Sequence, residues 1–586
     1  MGKFSSGTIV KSHRGEGPVR LVFLLHLILF SAAAAFAAET ATVKIKVDQV
    51  GYLPDAPKLA MVSAAAETFQ VKQASDGAVV LEGRLSAPVA DKDSGDRVQT
   101  ADFSNLRTPG KYYLEIPGVG RSWTFSISPD LLSRTYYLAM RAFYGQRCGM
   151  AVDLGREFPG YSYPACHVHG RFHPSSGKQG PRDNVGGWHD AGDYGRYMVN
   201  SGITTASLLW TWELYGSKIK DIKLNIPETG NGTPDILNEV RWNLEWMLKM
   251  QDDDGGVWQK QTSAGFPGFV MPQDDPFPSE VIGTGKPPYK STCATADLAA
   301  VGAIASRIYA PYDKDFAARS LRAARQAWAW AERYPDVTFK NPPGVVTWEY
   351  ADAHCDDERL WAAAELWRTT GEDLFNNYFL KNYPAYRHTL LVLEPGTWRD
   401  LAPAAMWSYA LGARKGSDAA AIEDIRKNTL TGARQIVERT RNNPYRVSLA
   451  TNDYVWGSNG RVAEYGVQML VANALSPDPA FVGTALDNLH YLLGRNTFSL
   501  SWVTQVGSNP CRHIHHRPSG ADKNAEPWPG LLAGGPNAER QDPMLRALPP
   551  QPPAKDYRDL QDSWASNEIA INWQAMLVFL LAGVSP

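Results

Sequence analysis

From Leu131 to the end of the chain, apolar residues recur at helical spacing in twelve stretches, near 131–148, 197–215, 234–251, 293–309, 315–333, 356–369, 372–381, 400–414, 418–441, 461–475, 478–494 and 564–583. Twelve such stretches pair into six hairpins, and each helix can bury its apolar stripe only against its neighbours. The connections at 180–196, 252–290 and 495–563 carry the segments with the most chemistry. Loops gathered at one end of a rigid scaffold are where a cleft forms.

Residues 41 to about 127 obey a different pattern. Lys44-Ile45-Lys46-Val47-Asp48-Gln49-Val50, Lys111-Tyr112-Tyr113-Leu114-Glu115-Ile116 and Ser122-Trp123-Thr124-Phe125-Ser126-Ile127 alternate, with turns at Pro109-Gly110 and Pro117-Gly118. Short alternating strands at this spacing predict a small all-β sandwich over 41–128, ahead of a mostly α domain over 131–586.

Before the sandwich, Lys3, Lys11, Arg14 and Arg20 precede Leu21-Val22-Phe23-Leu24-Leu25, and Ala35-Phe36-Ala37 offers a small-residue cleavage site. Residues 1–38 therefore read as a signal peptide. The mature protein is expected outside the cytoplasm, extracellular or periplasmic, with no membrane attachment after cleavage. At 586 residues, with a formal net charge of −2 and 20% charged residues, the chain shows no basic footprint for nucleic acid. A monomer is expected. The five cysteines, Cys148, Cys166, Cys293, Cys355 and Cys511, are too few and too scattered for a disulfide framework.

Gly186-Gly187-Trp188-His189-Asp190-Ala191-Gly192-Asp193-Tyr194 sets two carboxylates three residues apart among glycines and aromatics. Such a turn can aim both acids at one water, and aromatic rings stack on sugar faces. It equally fits an Asx-turn capping the helix that begins near Tyr197. Glu568, in Asn567-Glu568-Ile569-Ala570 at the start of the last apolar stretch, is expected to be half-buried, which raises a carboxyl pKa as a general acid requires. Ser508-Asn509-Pro510-Cys511-Arg512-His513-Ile514-His515-His516-Arg517-Pro518-Ser519 is too polar for a core and reads as a wall for sugar hydroxyls. Cys148, Cys166, His167 and His189 form a zinc-type donor set, with His169 and His173 in reserve; Cys148 and Cys166 also fit a disulfide.

These segments resemble the signatures of glycoside hydrolase family 9, inverting cellulases and related β-glucanases. The likeness continues through Asn231-Gly232-Thr233-Pro234-Asp235, Asp254-Gly255-Gly256-Val257, Ser291-Thr292-Cys293-Ala294-Thr295-Ala296-Asp297 and Tyr454-Val455-Trp456-Gly457-Ser458-Asn459. The resemblance implies an (α/α)6 barrel preceded by an immunoglobulin-like sandwich. It implies Asp193 as base, Glu568 as acid and Asp190 as a second holder of the water, with His516, Arg517, Trp456 and Tyr454 binding substrate. His513 and His515 are alternatives to His516. It implies a structural zinc on Cys148, Cys166, His167 and His189. It also implies calcium at Asp357 and Glu358, with Asp400 as a remote ligand, although the family's small residues just upstream are replaced by Ala353 and His354. The expected activity is that of a secreted endo-β-1,4-glucanase acting on β-glucan polysaccharide or oligosaccharide by single displacement with inversion. The alternative is an exo-acting β-glucanase, glucosidase or glucosaminidase-type member, with the Pro- and Gly-rich stretch 521–560 closing one end of the cleft.

Overall fold

The computed structural model describes residues 41–183, 185–394 and 396–585. The segment read as a signal peptide lies outside them. Residues 45–127 form two facing sheets. One carries Ile45–Lys46, Leu59–Val62, Arg97–Asp102 and Val89–Ala90; the other Gly51–Tyr52, Phe125–Ile127, Gly110–Ile116, Thr68–Gln73 and Val79–Arg84. The period of two decides what is buried: Phe69 and Val71 from one strand and Tyr112, Leu114 and Ile116 from its neighbour fill the space between the sheets. The alternation over 44–50 yields only a two-residue strand, because Asp48 accepts the backbone N–H groups of Val50 and Gly51 and turns the chain.

Buried polar contacts join the sandwich to the helical part of the chain. Asp48 meets His490 at 2.7 Å, with both side chains out of solvent. Gln49 donates to the Ser499 carbonyl and accepts from the N–H groups of Ser508 and Asn509. Asp96 accepts from Tyr445 at 2.6 Å and pairs with Lys555 at 2.7 Å.

The helical part is built from α1 (Ser133–Gly145), α2 (Met198–Ile219), α3 (Asp235–Lys249), α4 (Thr292–Tyr309), α5 (Lys314–Arg333), α6 (Asp356–Thr370), α7 (Asp373–Asn382), α8 (Ala402–Leu411), α9 (Ala419–Asn442), α10 (Ser458–Leu475), α11 (Pro479–Leu492) and α12 (Ile571–Val584). The even-numbered helices pack side by side in the order α2, α4, α6, α8, α10, α12 and close back on α2. Burial matches that ring. In α4 every residue but Arg307 is buried, whereas outer helices such as α5 and α9 bury one stripe and expose the rest. This is an (α/α)6 barrel, and the inner helices all start at the end that carries the long connections.

Two features depart from the sequence expectations. The stretch 564–583 is not one helix: Trp564–Asn567 is a single turn, Glu568 to Ala570 is extended, and α12 begins at Ile571. The break arises from pairing that periodicity cannot report, since His515 bridges to Glu568, Ala533 to Ile569 and Ala191 to Ala570. Cys293 and Cys355 form a disulfide that ties the first turn of α4 to the residue preceding α6. Cys148 and Cys166 are not joined.

Candidate active site

The turn 186–195 is held from beneath before it can hold anything. Trp188 is fully buried and donates its indole N–H to Glu239 at 2.9 Å; Glu239 in turn pairs with the buried Arg147 at 3.0 Å. Backbone bonds pin the turn on both sides, from the His189 N–H to the Gln146 carbonyl, from the Asp190 N–H to the Gly195 carbonyl and from the Ile571 N–H to the Asp190 carbonyl. Gly192 is required by close approach. A Cβ there would lie 2.2 Å from the His515 carbonyl oxygen.

Asp190 and Asp193 emerge from this turn with different partners. Asp190 accepts from the Asn200 amide at 2.7 Å and from the Tyr350 hydroxyl at 2.7 Å. Asp193 accepts from the Gly195 N–H at 3.2 Å and from the Tyr197 hydroxyl at 3.1 Å. Burial, reinforced by the charge of Asp193, pushes the Asp190 carboxyl up to about 8. The folded state therefore binds the Asp190 proton more tightly than the unfolded chain does. Stability from this group is present below about pH 4 and is lost as pH rises towards about 8. Asp190→Asn, which stays neutral throughout, is expected to melt at wild-type temperature near pH 4 and a few degrees above it near pH 8. Parallel melting curves at all pH values would show that the Asp190 carboxyl is not raised by the fold.

Glu568 comes to the same place from the far end of the chain. Its extended segment lies between the turn and the 511–517 loop, and the Gly192 N–H donates to its carboxylate. It is partly exposed. Burial of the carboxyl, with Asp193 and Asp190 adding like charge, holds its pKa well above the ordinary range, while Arg517 acts in the opposite direction. The neighbouring Asn567 fixes the approach, donating to Asp559 at 3.1 Å and accepting from Tyr557 at 2.7 Å. Asp559 also accepts the N–H groups of Arg512 and His513, so one carboxylate shapes both strands of the wall.

The wall residues divide by exposure. His516 is buried, its ring nitrogens meeting Gln146 Oε1 and Ser519 Oγ at 2.9 Å, and burial takes its pKa down to about 3. It therefore sits behind the wall, neutral, as a brace. His515 is the histidine turned towards the acids: partly exposed, anchored by Nδ1 to the Gln561 carbonyl at 2.7 Å, with Phe269 against its ring. Arg517 grips the Gly192 carbonyl at 2.8 Å and the Pro267 carbonyl at 2.9 Å, with Phe266 and Phe269 against its guanidinium. Tyr454 is buried, whereas Trp456 is partly exposed and packs between Trp348 and Trp564 at 5.2 and 4.8 Å. Trp348, 46% exposed, escapes a reading of the sequence, because nothing in its surroundings there marks a cleft.

Comparisons with known proteins identify the family of the chain. Residues 133–581 match the model of glycosyl hydrolase family 9, and residues 40–121 that of the cellulase N-terminal ig-like domain. The chain belongs to glycosyl hydrolase family 9. It is similar to Endoglucanase D of Acetivibrio thermocellus, at 36% identity over 92% of this chain and 83% of that one. It is also similar to a xyloglucan-specific endo-beta-1,4-glucanase of Bacteroides ovatus, at 34% identity over 95% and 97%. Among solved structures, the zinc-binding triple mutant of the family 9 endoglucanase J30 superposes with a TM-score of 0.84 at 33% identity, covering 91% of this chain and 99% of that chain. The protein is thus a glycoside hydrolase of this family. No helix among the described residues is long and apolar enough to cross a membrane.

Beside the turn that carries Asp190 and Asp193, Cys148, Cys166, His167 and His189 place one donor atom each within 4.8 Å of all the others. The two sulfurs are 4.0 Å apart and Cys166 Sγ lies 3.7 Å from His189 Nε2. Tetrahedral zinc with metal–ligand bonds of about 2.0–2.3 Å has ligand–ligand edges of roughly 3.3–3.8 Å, so these residues fit such an ion. His167 has a buried Nδ1 without a partner and an Nε2 held by Asp275 at 3.2 Å, the arrangement in which a carboxylate orients a ligating imidazole. Around the expected calcium position, burial, with Asp357, Asp297 and Asp352 adding like charge, holds the Glu358 carboxyl well above its ordinary range. Among the described residues, the donor atoms of Asp357, Glu358 and Asp400 are not grouped within 4.8 Å of one another. Asp357 accepts the Leu401 N–H at 2.7 Å, and Glu358 is fully buried with neither carboxylate oxygen partnered. The close group that includes Glu358 has its two sulfurs locked in the disulfide.

Proposed function

We propose that the protein is a secreted endo-β-1,4-glucanase that cleaves cellulose-type β-glucans by single displacement, with Asp193 as base and Glu568 as acid. The observation that carries this reading is the meeting of Glu568 with the Asp190–Asp193 turn, in an environment that holds the Glu568 proton. A protonated carboxyl can protonate the departing glycosidic oxygen, while an ionised one opposite activates water. Asp190, fixed by Asn200 and Tyr350, orients that water beside Asp193. Trp348, Trp456 and Trp564 offer ring faces and edges along which glucosyl units can lie. The names of the two relatives, both endoglucanases, support internal cleavage.

In this reading a metal on Cys148, Cys166, His167 and His189 would supply rigidity, neutralising two thiolates and locking His189 next to Asp190. Hydrolysis of carboxymethylcellulose should drop viscosity well before reducing ends accumulate, and proton NMR of freshly cut cellopentaose should show the α-anomer first. A β-anomer as first product would exclude single displacement. A single small sugar from the outset, with viscosity maintained, would exclude internal cutting.

A further inference from the structure

Lys260 is fully buried, yet among the described residues no carboxylate accepts from it. Its ammonium donates to Asn341 Oδ1 at 2.7 Å, the Trp348 carbonyl at 2.8 Å, the Thr347 carbonyl at 3.0 Å and Thr347 Oγ1 at 3.1 Å. All four acceptors lie in one segment, residues 341–348, which has no helix or strand of its own. An ammonium carries three donors and burying it without partners is costly, so a position like this persists where converging oxygens offset the loss of water. Residues flanking the strand Lys260–Thr262 add further grips: Gln259 donates to the Tyr350 carbonyl at 3.1 Å, and the Ala264 carbonyl accepts the Val346 N–H at 2.8 Å.

The segment so tied delivers two side chains to the acids. Trp348 stands half in solvent at the edge of Trp456, and two residues on Tyr350 donates to Asp190. Lys260 pairs in register with Tyr197, whose hydroxyl reaches Asp193, and its ammonium lies 5.5 Å from that ring.

We propose that Lys260 is a positioning residue for hydrolysis: its ammonium fixes segment 341–350 so that Trp348 forms a sugar platform and Tyr350 holds Asp190. The inference rests on the reading of this cleft as the glucan site. The charged groups that face Lys260 are Asp193 and Glu349, which favour the ammonium, while burial outweighs them and brings its pKa down to about 7. The rings of Tyr197 and Phe339 complete its surroundings. The grip is therefore full below neutrality and weakens as the proton leaves.

The test is a double-mutant cycle in steady-state hydrolysis of cellopentaose. Trp348→Ala and Lys260→Met should each raise KM about tenfold, and the double variant should raise it no further, because both remove one platform. Lys260→Met should also lower kcat, by the same factor as Tyr350→Phe and without adding to it. The wild-type KM should climb as pH passes about 7, and that climb should be missing in Lys260→Met. Multiplicative KM effects, an unchanged KM in Trp348→Ala, or a pH dependence of KM that survives Lys260→Met would overturn the proposal. If Lys260→Met does not fold, Asn341→Ala removes one acceptor together with its own bond to the Thr347 carbonyl, and should raise KM about threefold in wild-type but not in Trp348→Ala background. None of these outcomes alters the role of Glu568, which is tested separately.

Discussion

Glu568→Gln is expected to lower kcat about a thousandfold on cellopentaose while leaving KM within about threefold of wild type. The amide has the shape of the acid and can still accept the Gly192 N–H, so the extended segment 568–570 and its bridges to the turn are kept. What it lacks is the proton for the departing oxygen. The alkaline limb of the pH profile has the same origin. Burial and the neighbouring aspartates raise the Glu568 pKa, so the protonated form persists above the ordinary carboxyl range and activity falls as pH climbs through the raised value. A substrate whose leaving group needs no protonation, such as dinitrophenyl cellobioside, should be cut by Glu568→Gln at a rate within about tenfold of wild type. An equal loss on both substrates would show that Glu568 acts as something other than the acid.

Cys166→Ala is expected to release a tightly bound metal and to lower the melting temperature by about 10 °C. All four donors lie in the connection between α1 and α2: Cys148 comes just after α1, Cys166 and His167 lie further along it, and His189 directly precedes Asp190. Without an ion, two buried thiol groups and two imidazoles face one another with little to satisfy them. Elemental analysis should find one zinc per wild-type chain and none in the variant, and prolonged chelation should reproduce the variant's melting curve. A wild-type protein that contains no metal and melts unchanged in chelator would leave this cluster a set of packed side chains.

The twelve helices are legible in the sequence because each must present a stripe to its neighbours, and a stripe is a local pattern. The candidate acids are marked by resemblance more than by pattern: the turn carrying Asp190 and Asp193 equally fits an Asx-turn, and the likeness to the family 9 signatures is what joins it to Glu568. What stays hidden depends on contacts between distant segments. The kink at Glu568 is imposed by pairing with residues 191, 515 and 533, and an apolar run cannot announce it. His515 and His516 are adjacent and alike in sequence, and only the fold turns one towards the acids and packs the other against Gln146. Cys293 and Cys355 sit 62 residues apart and meet only once α4 and α6 are neighbours. Lys260 reads as one residue of the 252–290 connection until the segment it holds has folded over it.

The contact between Asp48 and His490 bears on how such a chain can be taken apart. A single buried bond, with Gln49 knotted into residues 499–509 beside it, commits the β sandwich to the outer helix α11 and to the wall that carries His515. Neither half is an interchangeable cassette. A chimera that borrows the front end of a relative inherits a mismatched seam unless the recipient surface around residues 487–509 travels with it.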